Sequence, residues 1–344
     1  MTTTTWDISS HNLSQQTWRA KNTKFLQKTE EERIKMMGVS VLRYEEINET
    51  EHKAMGILEY LGPNPNSFDT RLVWPTSGIP VRDQGNCGSC WAHSATEVLS
   101  ARAKILGYNF NLSAEPLIKW CLSGHTTPNK YMNSKNTCDG SDLQTPWKFL
   151  TSIGSVPIGP KFNCSAKQKW FHSNSRRNYE ISNGNLAYNI RTIQQELMSH
   201  GPIQVAFDVY LDFVTYEEGI YQKSNAPGNT YLGGHAVMLL GWGYLNGMYY
   251  WICQNSWGKD WGQNGFFKIA FTRVLGEDSV IEMNAFASTF NPIPTKSNTK
   301  TKKKNKRRVI KRRNNNLKRV KLIKNEKTKI GSLRMTRANN RPKK

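Results

Sequence analysis

Gln84-Gly-Asn-Cys-Gly-Ser-Cys-Trp-Ala-His-Ser94 places a cysteine, Cys90, where an exposed turn runs into a helix. Trp91, Ala95, Val98 and Leu99, then Ile105 and Leu106, follow near one face of that helix. A cysteine at a helix N-terminus feels the positive end of the macrodipole, which favours the nucleophilic thiolate. Such a nucleophile needs a base and a group to orient the base. His235 lies 145 residues on, in Gly233-Gly-His-Ala-Val-Met-Leu-Leu-Gly-Trp-Gly243, after two glycines and before a strand-like run. Asn255 lies 20 residues further, in Tyr249-Tyr-Trp-Ile-Cys-Gln-Asn-Ser-Trp-Gly258, at the end of an aromatic run that reads as a strand. A Cys-x-x-Cys pair alone would also suit a redox couple of Cys87 with Cys90, or zinc. No β-α-β pattern surrounds it, and Cys121 and Cys138 stand singly.

These motifs, with Phe68-Asp-Thr-Arg71, Ile79-Pro-Val-Arg-Asp-Gln-Gly85, Gly201-Pro-Ile203, Gly219-Ile-Tyr221 and Asn255 to Phe267, resemble papain-like cysteine peptidases, nearest the cathepsin B branch. They run in family order over about residues 67–290. The resemblance implies an α+β fold of two subdomains, a helical one and an antiparallel β-barrel, with the cleft between. It implies Cys90 as nucleophile, His235 as base, Asn255 as its orienter and Gln84 as oxyanion donor. Trp257 would cover the His235–Asn255 bond. Gly140, Ser141, Gly234 and Asn284 would contact substrate. By resemblance Cys87 pairs with Cys138 and Cys121 with Cys164, leaving Cys253 free; no metal or cofactor is implied.

The chain departs from the family pattern in four places. His93 stands where an aromatic or small apolar residue is usual, close to Cys90 on the helix; packing outweighs a tuning role. Cys138-Asp-Gly-Ser141 replaces Cys-Asn-Gly-Gly, adding a side chain at a position of close approach. Residues 157–190 hold only His172 and one cysteine, not the paired histidines that grip a substrate's C-terminus, so an endopeptidase is expected. Asn284 falls where an acid would accept arginine.

Charge divides the chain. Residues 295–344 hold 22 of its 48 lysines and arginines but only one, Glu326, of its 26 acids. The rest is nearly neutral and long enough for a large core. The tail reads as disordered and suits DNA, RNA or another polyanion through residues 296–344, without aromatics for base stacking. Residues 1–66 read as a propeptide by resemblance, with an amphipathic patch at Phe25, Leu26, Ile34, Met36 and Met37; Thr17-Trp-Arg19 and Leu61-Gly62 are the elements that resemble the inhibitory segment of cathepsin B-like zymogens. Cleavage is expected between Gly62 and Phe68, in the turn-rich Gly62-Pro-Asn-Pro-Asn-Ser67. Residues 67–294 form the peptidase domain, helical at Cys90–Leu106, 116–120 and 143–150 and strand-like at 203–209, 236–242, 249–253 and 266–271.

No apolar run reaches the ~20 residues of a membrane span, and Met1-Thr-Thr-Thr-Thr-Trp-Asp7 lacks the basic-then-apolar order of a signal peptide. An intracellular or virion-associated monomer acting on protein or peptide substrates is therefore expected, and the sequons at Asn12, Asn48, Asn111 and Asn163 read as unmodified surface. The missing signal, the Lys/Asn-rich composition and the basic tail resemble protease homologues of large DNA viruses, iridovirus-like ones included. The alternatives are a catalytically silent homologue and a nucleic-acid-associated protein acting through the tail.

Overall fold

The computed structural model describes residues 6–14, 17–40, 65–119, 137–155, 157–158, 179–180, 186–271 and 281–288. The helices are α1 Ile8–Leu13, α2 Glu30–Ile34, α3 Thr70–Val73, α4 Cys90–Ile105, α5 Glu115–Ile118, α6 Gln144–Ser152 and α7 Leu186–His200. The strands are β1 Trp18–Ala20, β2 Phe68–Asp69, β3 Tyr179–Glu180, β4 Ile203–Tyr210, β5 Tyr216–Tyr221, β6 Tyr231–Leu245, β7 Met248–Gln254, β8 Phe266–Ala270 and β9 Ala285–Ala287.

Helix α4 is buried nearly all round, from Cys90 through Ala103 except His93. Such a helix belongs at the centre of its subdomain. Its alanines and serines let neighbours approach, and Ser94 and Thr96 return their hydroxyls to the carbonyls of Cys90 (2.7 Å) and Ala92 (2.8 Å), so burial leaves those polar groups paired. Arg102 closes the C-terminal end, where cations are favoured. It donates to the Pro202 carbonyl at 2.7 Å and to Glu196 Oε1 at 2.8 Å, fastening α4 to the end of α7.

The second half is a sheet in the order β1-β5-β8-β7-β6-β4-β9-β3, with β2 added to β6. The antiparallel barrel implied by the resemblance needs correction: among the described residues the sheet is an open path, and β5 and β8 pair in parallel. Because β6–β7 and β7–β8 are both antiparallel, β8 runs in the direction of β6, and β5 runs that way too. The β6–β7 register shifts between Leu239 and Gly241, which bends this long strand.

Two cores result. One surrounds α4, with Trp91, Val98, Leu99, Trp147 and Phe149. The other is aromatic, with Phe207, Phe213, Tyr216, Trp251, Trp257, Trp261 and Phe267, and it includes Trp6, Trp18, Phe25, Met36 and Met37 from the N-terminal segment. Of the amphipathic patch read from the sequence, Phe25, Met36 and Met37 are buried, whereas Ile34 is 45% exposed. Strand β1 adds an edge to the sheet beside β5, so the segment before residue 41 packs as part of the fold. The expected cleavage span and the basic tail lie, apart from residues 65–68, outside the described residues.

Candidate active site

Cys90 is the first residue of α4 and is fully buried. Burial pushes its thiol up to about 11, although backbone N–H groups of Ala236, Gly38, Trp91 and Cys90 itself pull the other way. The helix N-terminus alone would favour a thiolate; here desolvation of the fully buried side chain wins.

His235 sits in β6, opposite Phe207 of β4. Its Nε2 lies 2.8 Å from Asn255 Oδ1. The same Oδ1 accepts the Ser256 N–H at 2.8 Å, which identifies it as the oxygen of the amide. Nε2 therefore carries the proton, and Nδ1 is a free acceptor, buried without a hydrogen-bond partner among the described residues. The Trp257 ring covers the imidazole at 4.8 Å between centroids. Burial lowers the His235 pKa to about 4, against the opposing bond to Asn255. Both groups are thus neutral at neutral pH in this covered state.

Gln84 is fixed from two sides. Ser256 Oγ donates to Gln84 Oε1 at 2.6 Å, so Nε2 must face the other way, where it donates to the carbonyls of Met36 and Cys87, each at 2.9 Å. The backbone repeats the connection: Gln84 N–H donates to Ser256 O, Gly258 N–H donates to Arg82 O, and Asp83 bridges Trp257. Arg82 in turn holds this loop to α4, donating to Thr96 Oγ1 at 3.0 Å with Glu97 Oε1 3.5 Å away. Burial raises Glu97 to about 7 and Arg82 opposes the rise. The loop carrying Gln84 and the segment carrying Asn255 are therefore one hydrogen-bonded unit spanning the two subdomains.

Gly140, Ser141 and Gly234 line a strip filled by the chain itself. Ser141 N–H donates to Gly38 O at 2.8 Å, while the N–H groups of Gly38 and Val39 both donate to Gly234 O at 3.1 Å. The approach leaves no room for side chains: a Cβ on Gly38 would lie 2.0 Å from the Gly88 oxygen, and one on Gly140, at φ +101°, 2.7 Å from the Gly38 oxygen. Asn284 is buried at the β4–β9 junction, its carbonyl accepting from Ala206, the register partner of Ala236.

Cys87 and Cys138 are joined, with Cα atoms 4.7 Å apart, so the strip stays beside the Gln84–Ser89 turn. Because Cys87 is bonded to Cys138, it forms no redox couple with Cys90. Cys90 and Cys253 are the free cysteines among the described residues. Cys121, Cys164, His172 and most of 157–190 lie outside the described residues. His93 lies by Arg82 and Asp83; burial and Arg82 lower its pKa to about 3, with Asp83 opposing. Among the described residues, no His/Cys/Asp/Glu cluster could hold a metal ion and no helix is long and apolar enough to cross a membrane.

Sequence reasoning missed two parts of this site. Ser256 stood inside a quoted motif, but only the fold shows its hydroxyl turned to Gln84. Met36 and Met37 read from the sequence only as part of an amphipathic patch, and nothing in the sequence marks Gly38 and Val39; no periodicity reveals backbone pairing of 38 and 39 with Ser141 and Gly234.

Comparison with known proteins completes the picture. A model described as papain family cysteine protease matches residues 64–289. Cathepsin B-like cysteine proteinase 6 of Caenorhabditis elegans is 32% identical over 247 residues, covering 60% of this chain and 62% of that protein. The gut-specific cysteine proteinase of Caenorhabditis elegans is 31% identical over 274 residues, 72% of this chain and 80% of that one. Among solved structures, proCathepsin B S9 from Trypanosoma congolense superposes with a TM-score of 0.60 at 24% identity, over 83% of this chain and 97% of that one. The digestive procathepsin L2 proteinase from Tenebrio molitor larval midgut gives 0.59 at 25% identity, over 83% and 89%. With the Cys90 helix, the His235–Asn255 bond and the Gln84 turn in the matched region, this chain belongs to the papain family of cysteine proteases.

Proposed function

We propose that the chain is a cysteine endopeptidase made as a zymogen, with residues 6–40 as the inhibitory segment. The observation carrying this reading is the Met36 carbonyl held by Gln84 Nε2 while residues 38 and 39 bond to Ser141 and Gly234. A peptide backbone already lies where a substrate would be gripped.

Once that segment leaves and water enters, the Cys90 proton passes to His235 Nδ1, the nitrogen left as acceptor by Asn255. The thiolate attacks the peptide carbonyl, and the C–N bond then breaks as the imidazolium gives its proton to the departing amine. Gln84 Nε2 and the Cys90 N–H hold the oxyanion. Water, deprotonated by His235, attacks the thioester and frees the acid and Cys90. Asn255 keeps the imidazole in the required tautomer, and Trp257 shields that bond.

An epoxide inhibitor of the E-64 type tests the reading. It should label Cys90 only after residues 1–66 are cut away, and the cut protein should hydrolyse a peptide blocked at both ends. Absence of labelling after removal defeats the proposal. The basic tail supports a polyanion-binding role for residues 296–344; retention on heparin should vanish when 295–344 is deleted.

A further inference from the structure

Beside Gln84, one stretch of the cleft wall is met by cations. Lys24 Nζ donates to Asp83 Oδ2 at 2.9 Å, and Lys28 Nζ donates to Asn86 Oδ1 at 2.5 Å. Between them the Phe25 ring lies 5.1 Å from the Trp257 ring, with the Lys24 ammonium 5.3 Å from the centre of the Phe25 ring. The segment thus meets the Ser141–Gly234 strip at residues 38 and 39, Gln84 at residue 36, and Asp83, Asn86 and Trp257 at residues 24–28.

Asp83 is held ionised and facing outward. Its Oδ1 accepts the Gly85 N–H at 3.0 Å. Burial works against ionisation, but Lys24 and the Gly85 N–H outweigh it and hold the carboxyl below the usual carboxylate range. The neighbouring Arg82 turns its guanidinium inward, to Thr96 Oγ1, to the Leu112 carbonyl at 2.7 Å and toward Glu97. The backbone fixes the carboxylate beside Trp257. Asp83 bridges Trp257, Gly258 N–H donates to Arg82 O at 2.8 Å, and a Cβ on Gly258, at φ +81°, would lie 3.1 Å from Asp83 Oδ2. Even under Lys24 the Asp83 side chain is 46% exposed, so a cation reaches it from solvent.

The place of this carboxylate follows from the chemistry. In the proposed reaction His235 hands its proton to the departing amine, and Trp257 covers His235. The strip grips one half of a substrate, and the departing half leaves past Trp257, where Asp83 carries the charge. Resting on the peptidase reading, we propose that Asp83 determines specificity by taking a lysine or arginine from the first residues after the scissile bond, in the place Lys24 holds in the uncut chain. The ligand class is a peptide with a basic departing half. Near the surface such a pair adds little affinity and discriminates chiefly by repelling acids.

Internally quenched peptides, blocked at both ends and alike except for one residue, test this on the chain from which residues 1–66 have been cut away and released. Lys, Ala or Glu is placed first, second or third after the scissile bond. At one of these positions kcat/KM should favour Lys over Ala roughly 3- to 5-fold and Lys over Glu roughly 10-fold. Asp83→Asn should bring the three peptides to within about 2-fold of one another. Asp83→Lys should turn the preference toward Glu, and Asp83→Glu should keep it for Lys. The parent's preference should shrink as salt rises. No preference at any position, or one that survives Asp83→Asn, would overturn the subsite. Labelled forms of the same peptides, bound to the cut Cys90→Ser chain, keep the two readings apart. A preference in binding that depends on Asp83, without hydrolysis or epoxide labelling by the Cys90 chain, leaves the subsite standing and defeats the peptidase reading. Hydrolysis with no preference does the reverse.

Discussion

At the cleft, Gly38 and Val39 are held through N–H and C=O groups, by Ser141 and Gly234, with glycines at 38, 88 and 140 where the backbones come closest. At the β5 edge, the same segment is held by Trp6, His11 and Trp18 among Tyr216 and Tyr221. The first seat uses groups that any peptide carries, so under the proposed function a substrate would need the same groups and would compete for them. The second uses side chains that few peptides carry in that order, so it adds selectivity and tethering. In the proposed zymogen the two are complementary: a tolerant contact fills the site and a selective one keeps it filled.

The largest separation of the two seats should come from Gln84→Ala. Gln84 Nε2 serves both the proposed oxyanion and the Met36 carbonyl, and no contact of Trp18 involves it. Turnover by the cut protein should fall roughly 10²- to 10³-fold in kcat while a synthetic peptide of residues 6–23 binds as before. An equal loss of peptide binding would mean that the seats are one unit.

Gly38→Val attacks only the cleft seat, since its Cβ would meet the Gly88 carbonyl. In the uncut chain, epoxide labelling of Cys90 should become roughly 10- to 100-fold faster. Labelling as slow as in the parent chain would place the block elsewhere.

Acid should weaken the β5-edge seat through His11. Burial among the tryptophans lowers its pKa, and the Trp18 carbonyl only partly opposes this. The released segment then binds a proton more readily than the seated one. The contribution of His11 is present above its ordinary value of 6.5 and is lost as pH falls below it. Peptide 6–23 should therefore bind more weakly as pH drops through that range, and His11→Gln should flatten the dependence. The check is binding against pH for both peptides; identical curves would remove His11 from the account.

The smallest effect should come from Lys24→Ala. Its ion pair with Asp83 spans 2.9 Å, but the two side chains are 48% and 46% exposed. Solvent screening limits the loss to about 1 kcal/mol or less in retention of the cut fragment. A larger loss would show that the stretch joining the two seats is a third anchor.

Much of the site was legible because local chemistry marks it. Cys90 follows a turn and opens a helix; His235 follows two glycines; Asn255 closes an aromatic strand and is followed by Ser256 and Trp257. These features depend on residues within a few positions of each other. The protonation states were not legible. A helix start argues for thiolate, and only the full burial of Cys90 in the folded chain reverses it. The barrel expectation went astray for a similar reason, since strand-like runs do not say which strands meet, and the parallel β5–β8 pair joins strands that are distant in the chain.

By itself, then, the sequence determined which side chains could supply a nucleophile, a base and an orienting amide, because helix starts, glycine turns and strand runs are short-range physics; Gln84 as oxyanion donor was implied by the family resemblance alone. The tertiary structure decided that Ser256 aims the Gln84 amide across 172 residues, that the Gly38–Val39 backbone pairs with Ser141 and Gly234, and that Trp18 lies 204 residues from the carbonyl it binds. Those contacts join distant parts of the chain, and desolvation and backbone pairing at such distances exist only once the chain has closed upon itself.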